Sequence, residues 1–220
     1  MTGPAPRPAQ LVVLAKSPVP GRVKTRLTPP YSPVEAAALA EAALVDTLRA
    51  ASGADVSRVL LVLDGEPGGW LPAGLEVRPQ RGDGLDERIA HALLDACTDV
   101  ELPVLLVGMD TPQLVAADLD RAVDRLLEPG TDAVLGPAVD GGWWALGLHR
   151  PRAEHVVSVP MSRHDTGSRQ LERLESCGLR VRLLEKRRDV DDAADADLVA
   201  AEAPHGAFAA ELARLAESAA

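Results

Sequence analysis

The chain has 220 residues, with 33 acidic against 23 basic side chains and a formal charge of −10, which argues against a general nucleic-acid binder needing a basic face. Hydrophobic residues make up 46% and charged residues 25%, too apolar for disorder, and a chain this long buries about 70% of its unfolded surface without staples. No apolar run approaches the roughly 20 residues of a membrane helix, Leu11–Ala15 is too short for a signal peptide, and Cys97 and Cys177 form neither a ligand pair nor a disulfide framework; the expectation is a cytoplasmic protein with two buried thiols.

In chain order, Met1–Ala9 is Pro-rich and reads as a flexible tail, with residues 10–220 expected to form a single domain. Gln10–Ala15 is a short β-branched run, a buried strand. Lys16–Tyr31, broken by Pro18, Pro20, Pro29 and Pro30, is a long loop, and long ordered loops are often functional. Ser32-Pro33-Val34-Glu35 is a capping box that opens an Ala-rich helix to about Ser52. Strands follow at Arg58–Leu63, Leu75–Arg78, Pro103–Val107, Ala133–Leu135, Trp143–Leu148 and Arg180–Leu184. Helices are expected at Leu85–Cys97, Ala117–Leu127, Thr166–Cys177, Ala194–Ala201 and Ala207–Ala219. Strands alternating with helices predict an α/β fold: a mostly parallel central sheet with helices on both faces.

Ligands in such sheets bind beyond the carboxyl ends of the strands, so the residues just past each strand matter most. The first strand is succeeded by Lys16-Ser17-Pro18-Val19-Pro20-Gly21-Arg22-Val23-Lys24-Thr25-Arg26, and the Pro103 strand by Gly108-Met109-Asp110-Thr111-Pro112. The Ala133 strand leads into Gly136-Pro137-Ala138-Val139-Asp140-Gly141-Gly142, and the Arg180 strand into Arg187-Arg188-Asp189-Val190-Asp191-Asp192. One sheet edge thus presents cations from one loop and isolated aspartates from three others. The cations are not scattered: residues 1–34 carry +5 and no acid, and the remainder carries −15. Of only 3 lysines beside 20 arginines, Lys16 and Lys24 lie in this loop. Lysine is a compact, mobile charge and arginine a planar fork, so these two positions are read as needing ammonium.

Basic groups around a glycine can hold phosphates, and facing aspartates can hold a hard divalent cation that bridges them. The pattern is therefore that of a nucleotide-diphosphate site. It is not a Walker loop, because Val23 and Pro18 stand where that motif needs glycine, and no G-x-G-x-x-G fingerprint supports a dinucleotide-binding dehydrogenase.

The stretch Leu14–Leu27 resembles the opening signature of the rSAM/selenodomain-associated transferase family, which is glycosyltransferase-like, and is more distantly similar to 2-phospholactate guanylyltransferases. The resemblance continues through Gly108–Pro112, Gly136–Gly142 and Asp189–Asp191, and covers nearly the whole chain, from Leu11 to Leu198. It implies the nucleotide-diphospho-sugar transferase (GT-A-like) fold. It also implies roles: Lys16, Gly21, Lys24, Thr25 and Arg26 for the nucleotide phosphates; Gln80, Gly82 and Arg88 for a middle loop facing the donor. Asp110, Asp191 and Asp189 would bind a divalent metal, Mg²⁺ or Mn²⁺. Asp140 and Lys24 would be catalytic, and Gly141, Gly142 and Trp143 would meet the acceptor. The chain departs from the family pattern at Trp143-Trp144, where an aromatic pair with Tyr is usual, at Pro160-Met161-Ser162, where Trp-Ser/Thr is usual, and at Asp192-Ala193.

Each assignment has a structural competitor. Asp110 can cap the next helix. Asp189, Asp191 and Asp192 can be a solvated helix start, and Asp140 can shape its turn through an Asx bond. Trp143 and Trp144 point to opposite faces of a strand, so at least one belongs to the core. His164-Asp165 reads as a loop, and His91 as a surface or core residue.

The leading expectation is a metal-dependent, glycosyltransferase-like transferase with a nucleotide-activated, sugar-nucleotide donor and a small-molecule acceptor, without nucleic acid or membrane partners. The alternatives are a nucleotidyltransferase that joins an NTP to a small phosphorylated acid with release of pyrophosphate, and a non-catalytic nucleotide-binding regulator.

Overall fold

The computed structural model describes residues 5–218. Seven strands form one sheet: β1 (Arg7–Lys16), β2 (Val56–Asp64), β3 (Glu76–Pro79), β4 (Val104–Gly108), β5 (Ala133–Pro137), β6 (Trp143–Leu148) and β7 (Val181–Leu183). Their order is β3-β2-β1-β4-β6-β5-β7. β6 runs antiparallel to both neighbours, and every other pairing is parallel. The helices are α1 (Pro33–Gly53), α2 (Leu85–Asp99), α3 (Ala116–Leu127), α4 (Thr166–Ser176), α5 (Ala193–Glu202) and α6 (Ala207–Ser218).

Strand periodicity decides which residues face which layer. Leu11, Val13 and Ala15 of β1 pack with Leu44 and Leu48 of α1 and Val123 and Leu126 of α3. Val12, between them, faces the opposite layer with Ile89 and Leu93 of α2 and Leu174 of α4. α1 is buried on two sides: its Leu39 and Ala43 meet Leu27, Val190, Val199, Phe208 and Leu212 in a third cluster. Small alanines suit a helix sandwiched in this way. This third cluster matters for the site, because it anchors the loop after β1 through Leu27 and the late aspartate segment through Val190, both fully buried.

The Ser32 capping box forms as its sequence predicts: Glu35 N–H donates to Ser32 Oγ and Ser32 N–H to the Glu35 carboxylate. Arg7–Ala9 are part of a strand and not of a tail. β1 begins at Arg7 rather than Gln10, and of the expected tail Met1–Pro4 lie outside the described residues. Two features let Arg7–Ala9 join a central strand. A register shift between Arg7 and Gln10 accommodates Pro8, which has no N–H to give a ladder. Arg7 is also pinned by Asp124 at 2.6 Å, Asp55 at 3.2 Å and Asp120 at 3.4 Å. Within the expected loop, Thr25–Leu27 form one 3₁₀ turn. No helix among the described residues is long and apolar enough to cross a membrane.

Candidate functional site

A cavity of about 660 Å³ opens at the carboxyl ends of β1, β4 and their neighbours. The chain runs outward from β1 to β2 and β3 on one side and resumes at β4 on the other, so the cavity lies at the point where strand order reverses. All three loops that carry the aspartates and the loop that carries the lysines reach it.

Lys16, Lys24, Thr25 and Arg26 line the cavity, as do Gln80, Arg88, Asp110, Asp140, Gly142, Trp143, Asp189 and Asp191. Gly21, Gly82 and Gly141, expected to contact nucleotide or acceptor, do not line it. Gly141 instead has a positive φ of 93°, and a Cβ there would collide with the His164 carbonyl. It lets the turn after β5 close against the start of α4, where Gly167 N–H donates to Gly141 O at 2.8 Å.

The loop after β1 presents its charges unequally. Lys16 and Arg22 are exposed, and neither has an acidic partner among the described residues. Lys24 turns inward: its backbone is left-handed (φ 47°, ψ 38°), its side chain is 10% exposed, and Nζ lies 2.5 Å from Asp110 Oδ1 and donates to Val190 O. Arg26 pairs with Asp191. Three non-glycine residues among those described have positive φ, and two of them, Lys24 and Ser162, line the cavity. Such conformations cost free energy and gather at binding sites.

The late segment is fastened to the strand ends by backbone. Val190 N–H donates to Asp110 O at 2.8 Å, Gln113 Nε2 to Arg188 O at 2.5 Å, and Val139 N–H to Arg187 O at 2.9 Å. These bonds bring Asp189 among like charges. Its carboxyl is pushed up to about 6, first by burial, then by the carboxylates of Asp140 and Asp110, with Lys24 opposing the shift. A half-buried carboxyl crowded by two others is short of positive charge, and all three are hard oxygen donors, so Asp110 and Asp189 suit a divalent cation of the Mg²⁺ or Mn²⁺ type. Among the described residues no three or more His, Cys, Asp or Glu side chains are grouped so as to hold a metal ion by themselves. Phosphate oxygens and water would have to finish it.

The competing readings divide. α3 begins at Ala116 with Val115 before it, so Asp110 does not cap that helix. Asp192 does cap α5, accepting from Asp195 N–H at 3.0 Å, so the helix-start reading holds for this residue. Asp140 Oδ1 accepts from Gly142 N–H at 2.7 Å, the Asx bond, while the side chain stays exposed to the cavity. Trp144 belongs to the core and donates from Nε1 to Glu185 O at 3.0 Å; Trp143 is half-buried on the cavity wall. His91 Nδ1 sits 3.0 Å from Arg81 O, outside the cavity. The thiols depart from expectation: Cys97 is only partly buried and Cys177 is exposed.

The middle loop is more occupied than the sequence suggests. Gln80 Nε2 donates to Ala15 O at 2.7 Å and Val62 O at 3.3 Å, tying β1 to β2. Arg88 is held by Asp64 Oδ2 at 2.7 Å and Gly82 O at 3.1 Å. Asp64 was not singled out by the sequence, although it is the last residue of β2 and stands at the same sheet edge. Met161, Ser162, Arg163 and Thr166 also line the cavity, and Pro160–Ser162 is the stretch where the chain departs from the family pattern.

Residues 36–163 match the family described as "uncharacterized protein conserved in bacteria (DUF2064)". The chain belongs to this family. The DUF2064 match takes in Asp110 and Asp140 but stops short of both Lys24 and Asp189. No curated protein matches the chain by sequence. A solved structure from Desulfovibrio desulfuricans G20, provisionally named a nucleotide-diphospho-sugar transferase, superposes with a TM-score of 0.84 at 24% identity, covering 94% of each chain. CMP:2-keto-3-deoxy-manno-octonic acid synthetase complexed with CTP gives 0.52 at 16% identity, over 88% of this chain and 97% of that one. Rv0371c of Mycobacterium tuberculosis H37Rv, in complex with manganese, gives 0.50 at 22% identity, over 87% and 97%. At these identities the likeness establishes the fold, which is that of the nucleotide-diphospho-sugar transferases and related nucleotidyltransferases.

Proposed function

We propose that this DUF2064 protein is a metal-dependent transferase that takes a nucleotide-activated donor, a sugar nucleotide, and passes the activated group to a small hydroxyl-bearing acceptor. The observation that carries the reading is the cavity at the strand-order reversal, where the β1 loop brings four cations, two of them (Lys16 and Arg22) without an acidic partner among the described residues, to the same cavity as Asp110, Asp140 and Asp189. The folds it resembles include a synthetase solved with CTP and a protein solved with manganese, and the Leu14–Leu27 loop resembles that of glycosyltransferase-like proteins.

The chain's own groups divide the work. Lys16 and Arg22 bind the donor's phosphates, and Lys24 and Arg26 hold the inner phosphate oxygens. Asp110 and Asp189 would hold a divalent cation, which supplies charge neutralisation for the departing diphosphate. Preorganised charge of this kind is commonly the largest single contribution to such a transfer. Asp140 keeps Oδ1 on the Gly142 amide, so Oδ2 is the oxygen that orients the acceptor hydroxyl and takes its proton. Trp143, Met161 and Thr166, which line the same cavity, are the side chains assigned to the acceptor.

The test is a melting-temperature screen of nucleoside diphosphates and sugar nucleotides with and without Mn²⁺ or Mg²⁺, followed by product analysis with the stabilising donor. Released nucleoside diphosphate is the expected product. Pyrophosphate released from an NTP would replace this reading by nucleotidyl transfer. Binding without turnover of any donor and acceptor pair would leave a nucleotide-binding regulator.

A further inference from the structure

The Lys24 side chain occupies Asp110 Oδ1, one of the two carboxylate oxygens a metal held by Asp110 would use. Its ammonium is 2.5 Å from Asp110 Oδ1, is capped on its other side by the Val190 carbonyl, and is largely shielded from water. Three features fix it there. The left-handed backbone at Lys24 turns the side chain inward. Leu27, three residues on, is sealed in the cluster between α1, α5 and α6. Val190 is sealed in the same cluster and hydrogen-bonded through its N–H to Asp110 O, so both of the ammonium's acceptors belong to one braced unit. Asp110 itself is half exposed, with its carboxylate at the cavity wall.

An ammonium and a divalent cation on the same carboxylate repel each other strongly at such range in a partly dry site. A cation arriving alone must either share the Asp110 carboxylate with the ammonium or displace Lys24 and leave it with only the Val190 carbonyl. A diphosphate changes this, because its oxygens give Lys24 a better anionic partner and supply the ligands the two aspartates lack.

Resting on the reading of the site as metal-linked and diphosphate-binding, we infer that Lys24 is a built-in counter-ion that guards Asp110, so that a divalent cation enters the site only together with the donor's diphosphate. Binding of cation and diphosphate is then cooperative, and each raises the affinity for the other by the same factor. The arrangement also keeps the carboxylates from being saturated by free metal when no donor is present.

The test compares Mn²⁺ binding, read from the paramagnetic resonance of free Mn²⁺, for wild type, Lys24→Met and Lys24→Met/Asp110→Asn. Lys24→Gln serves as a second neutral variant should the first fail to fold. Melting temperatures of the wild type with Mn²⁺, with inorganic pyrophosphate and with both complete the experiment. The expected result is that Mn²⁺ alone binds Lys24→Met at least tenfold more tightly than wild type, that Asp110→Asn removes the gain, and that Mn²⁺ and pyrophosphate together raise the wild-type melting temperature beyond the sum of their separate effects. Tight Mn²⁺ binding that is equal in wild type and both neutral variants would overturn the guard role and leave the metal-linked reading standing. No shift of the wild type by any combination of Mn²⁺ and pyrophosphate would overturn both.

Discussion

At the amino end of the sheet Arg7 meets Asp55, Asp120 and Asp124, and Arg58 meets Glu76, Gln10 and the Ala96 carbonyl. At the carboxyl end Lys16 and Arg22 face a cavity with no acidic partner among the described residues, and Asp189 is crowded by Asp140 and Asp110. Both ends draw on the same residue types. One end satisfies its charges, as a part that serves only stability should; the other pairs Lys24, Arg26 and Arg88 but leaves Lys16 and Arg22 without an acidic partner among the described residues and Asp189 repelled by two carboxylates, which folding alone would not favour. Unsatisfied charge at a strand-order reversal therefore singles out the carboxyl end as the candidate functional end, and variants at the two ends should fail in opposite ways.

The largest effect is expected at Asp140. Asn can still accept the Gly142 amide bond, so Asp140→Asn keeps the turn and removes only basicity. Loss of a general base costs about 10²–10⁴-fold in rate; kcat should fall within about that range while nucleotide Kd changes less than about tenfold. Near-normal turnover would reduce Asp140 to a turn former, and a large loss of donor affinity would move it among the metal-binding groups.

The amino end should show the converse. Arg58→Ala strands Gln10 Oε1 and the Ala96 carbonyl and leaves Glu76 without its strongest partner. A loss of about 2–3 kcal/mol of unfolding free energy is expected, with kcat/KM of the remaining folded protein unchanged. A catalytic defect in Arg58→Ala would erase the distinction between the two ends.

Asp189 sharpens the contrast, because there a charge works against the fold. Its carboxyl titrates at about 6 instead of the ordinary 3.8. The folded state thus holds this proton more tightly than the unfolded chain does. The group's contribution to stability is complete below the unfolded value and is lost as pH rises through about 6. Without divalent cations, Asp189→Asn should stabilise the protein by about 1–2 kcal/mol at pH 7.5 and by almost nothing below pH 4. Chemical unfolding at the two pH values measures the difference, and equal effects at both would mean that Asp189 is not strained by its neighbours.

The smallest effect contrasts two lysines. Lys24→Arg puts a wider planar group into a contact shared by Asp110 and Val190 O. At least a tenfold loss in kcat/KM is expected, about 1.4 kcal/mol. Lys186, exposed and outside the cavity, should accept Arg silently. Equal activity of the two variants would mean that lysine was not kept at position 24 for its chemistry.

Much of this was legible from local pattern. The β-branched runs, the Ser32 capping box and the alternation of strand and helix state the sheet and its helices, and the loops at the carboxyl ends of the strands collect Lys24, Asp110, Asp140 and Asp189 at one edge. The misses come from partners far apart in sequence. Arg7 joins β1 because acids at 55, 120 and 124 converge on it. Arg88 is partly spoken for by Asp64, and Gln80 by two strand carbonyls. Gly141 makes room for the His164 carbonyl rather than for a ligand. The link between Lys24 and Asp110 was equally invisible, since nothing in a linear spacing of 86 residues shows that an expected phosphate ligand and an expected metal ligand touch.

The central claim is that the carboxyl end binds a nucleotide diphosphate through a metal held by Asp110. Melting temperatures of wild type and Asp110→Ala, each with the nucleoside diphosphate that stabilises most and with or without Mn²⁺, test it directly. At 100 times its Kd the nucleotide should stabilise the wild type by about 2.7 kcal/mol when Mn²⁺ is present. The stabilisation should be much smaller without Mn²⁺ and metal-independent in Asp110→Ala, whose own fold stays intact because the lost carboxylate is 50% exposed. Nucleotide and Mn²⁺ stabilising Asp110→Ala as strongly as wild type would contradict the account.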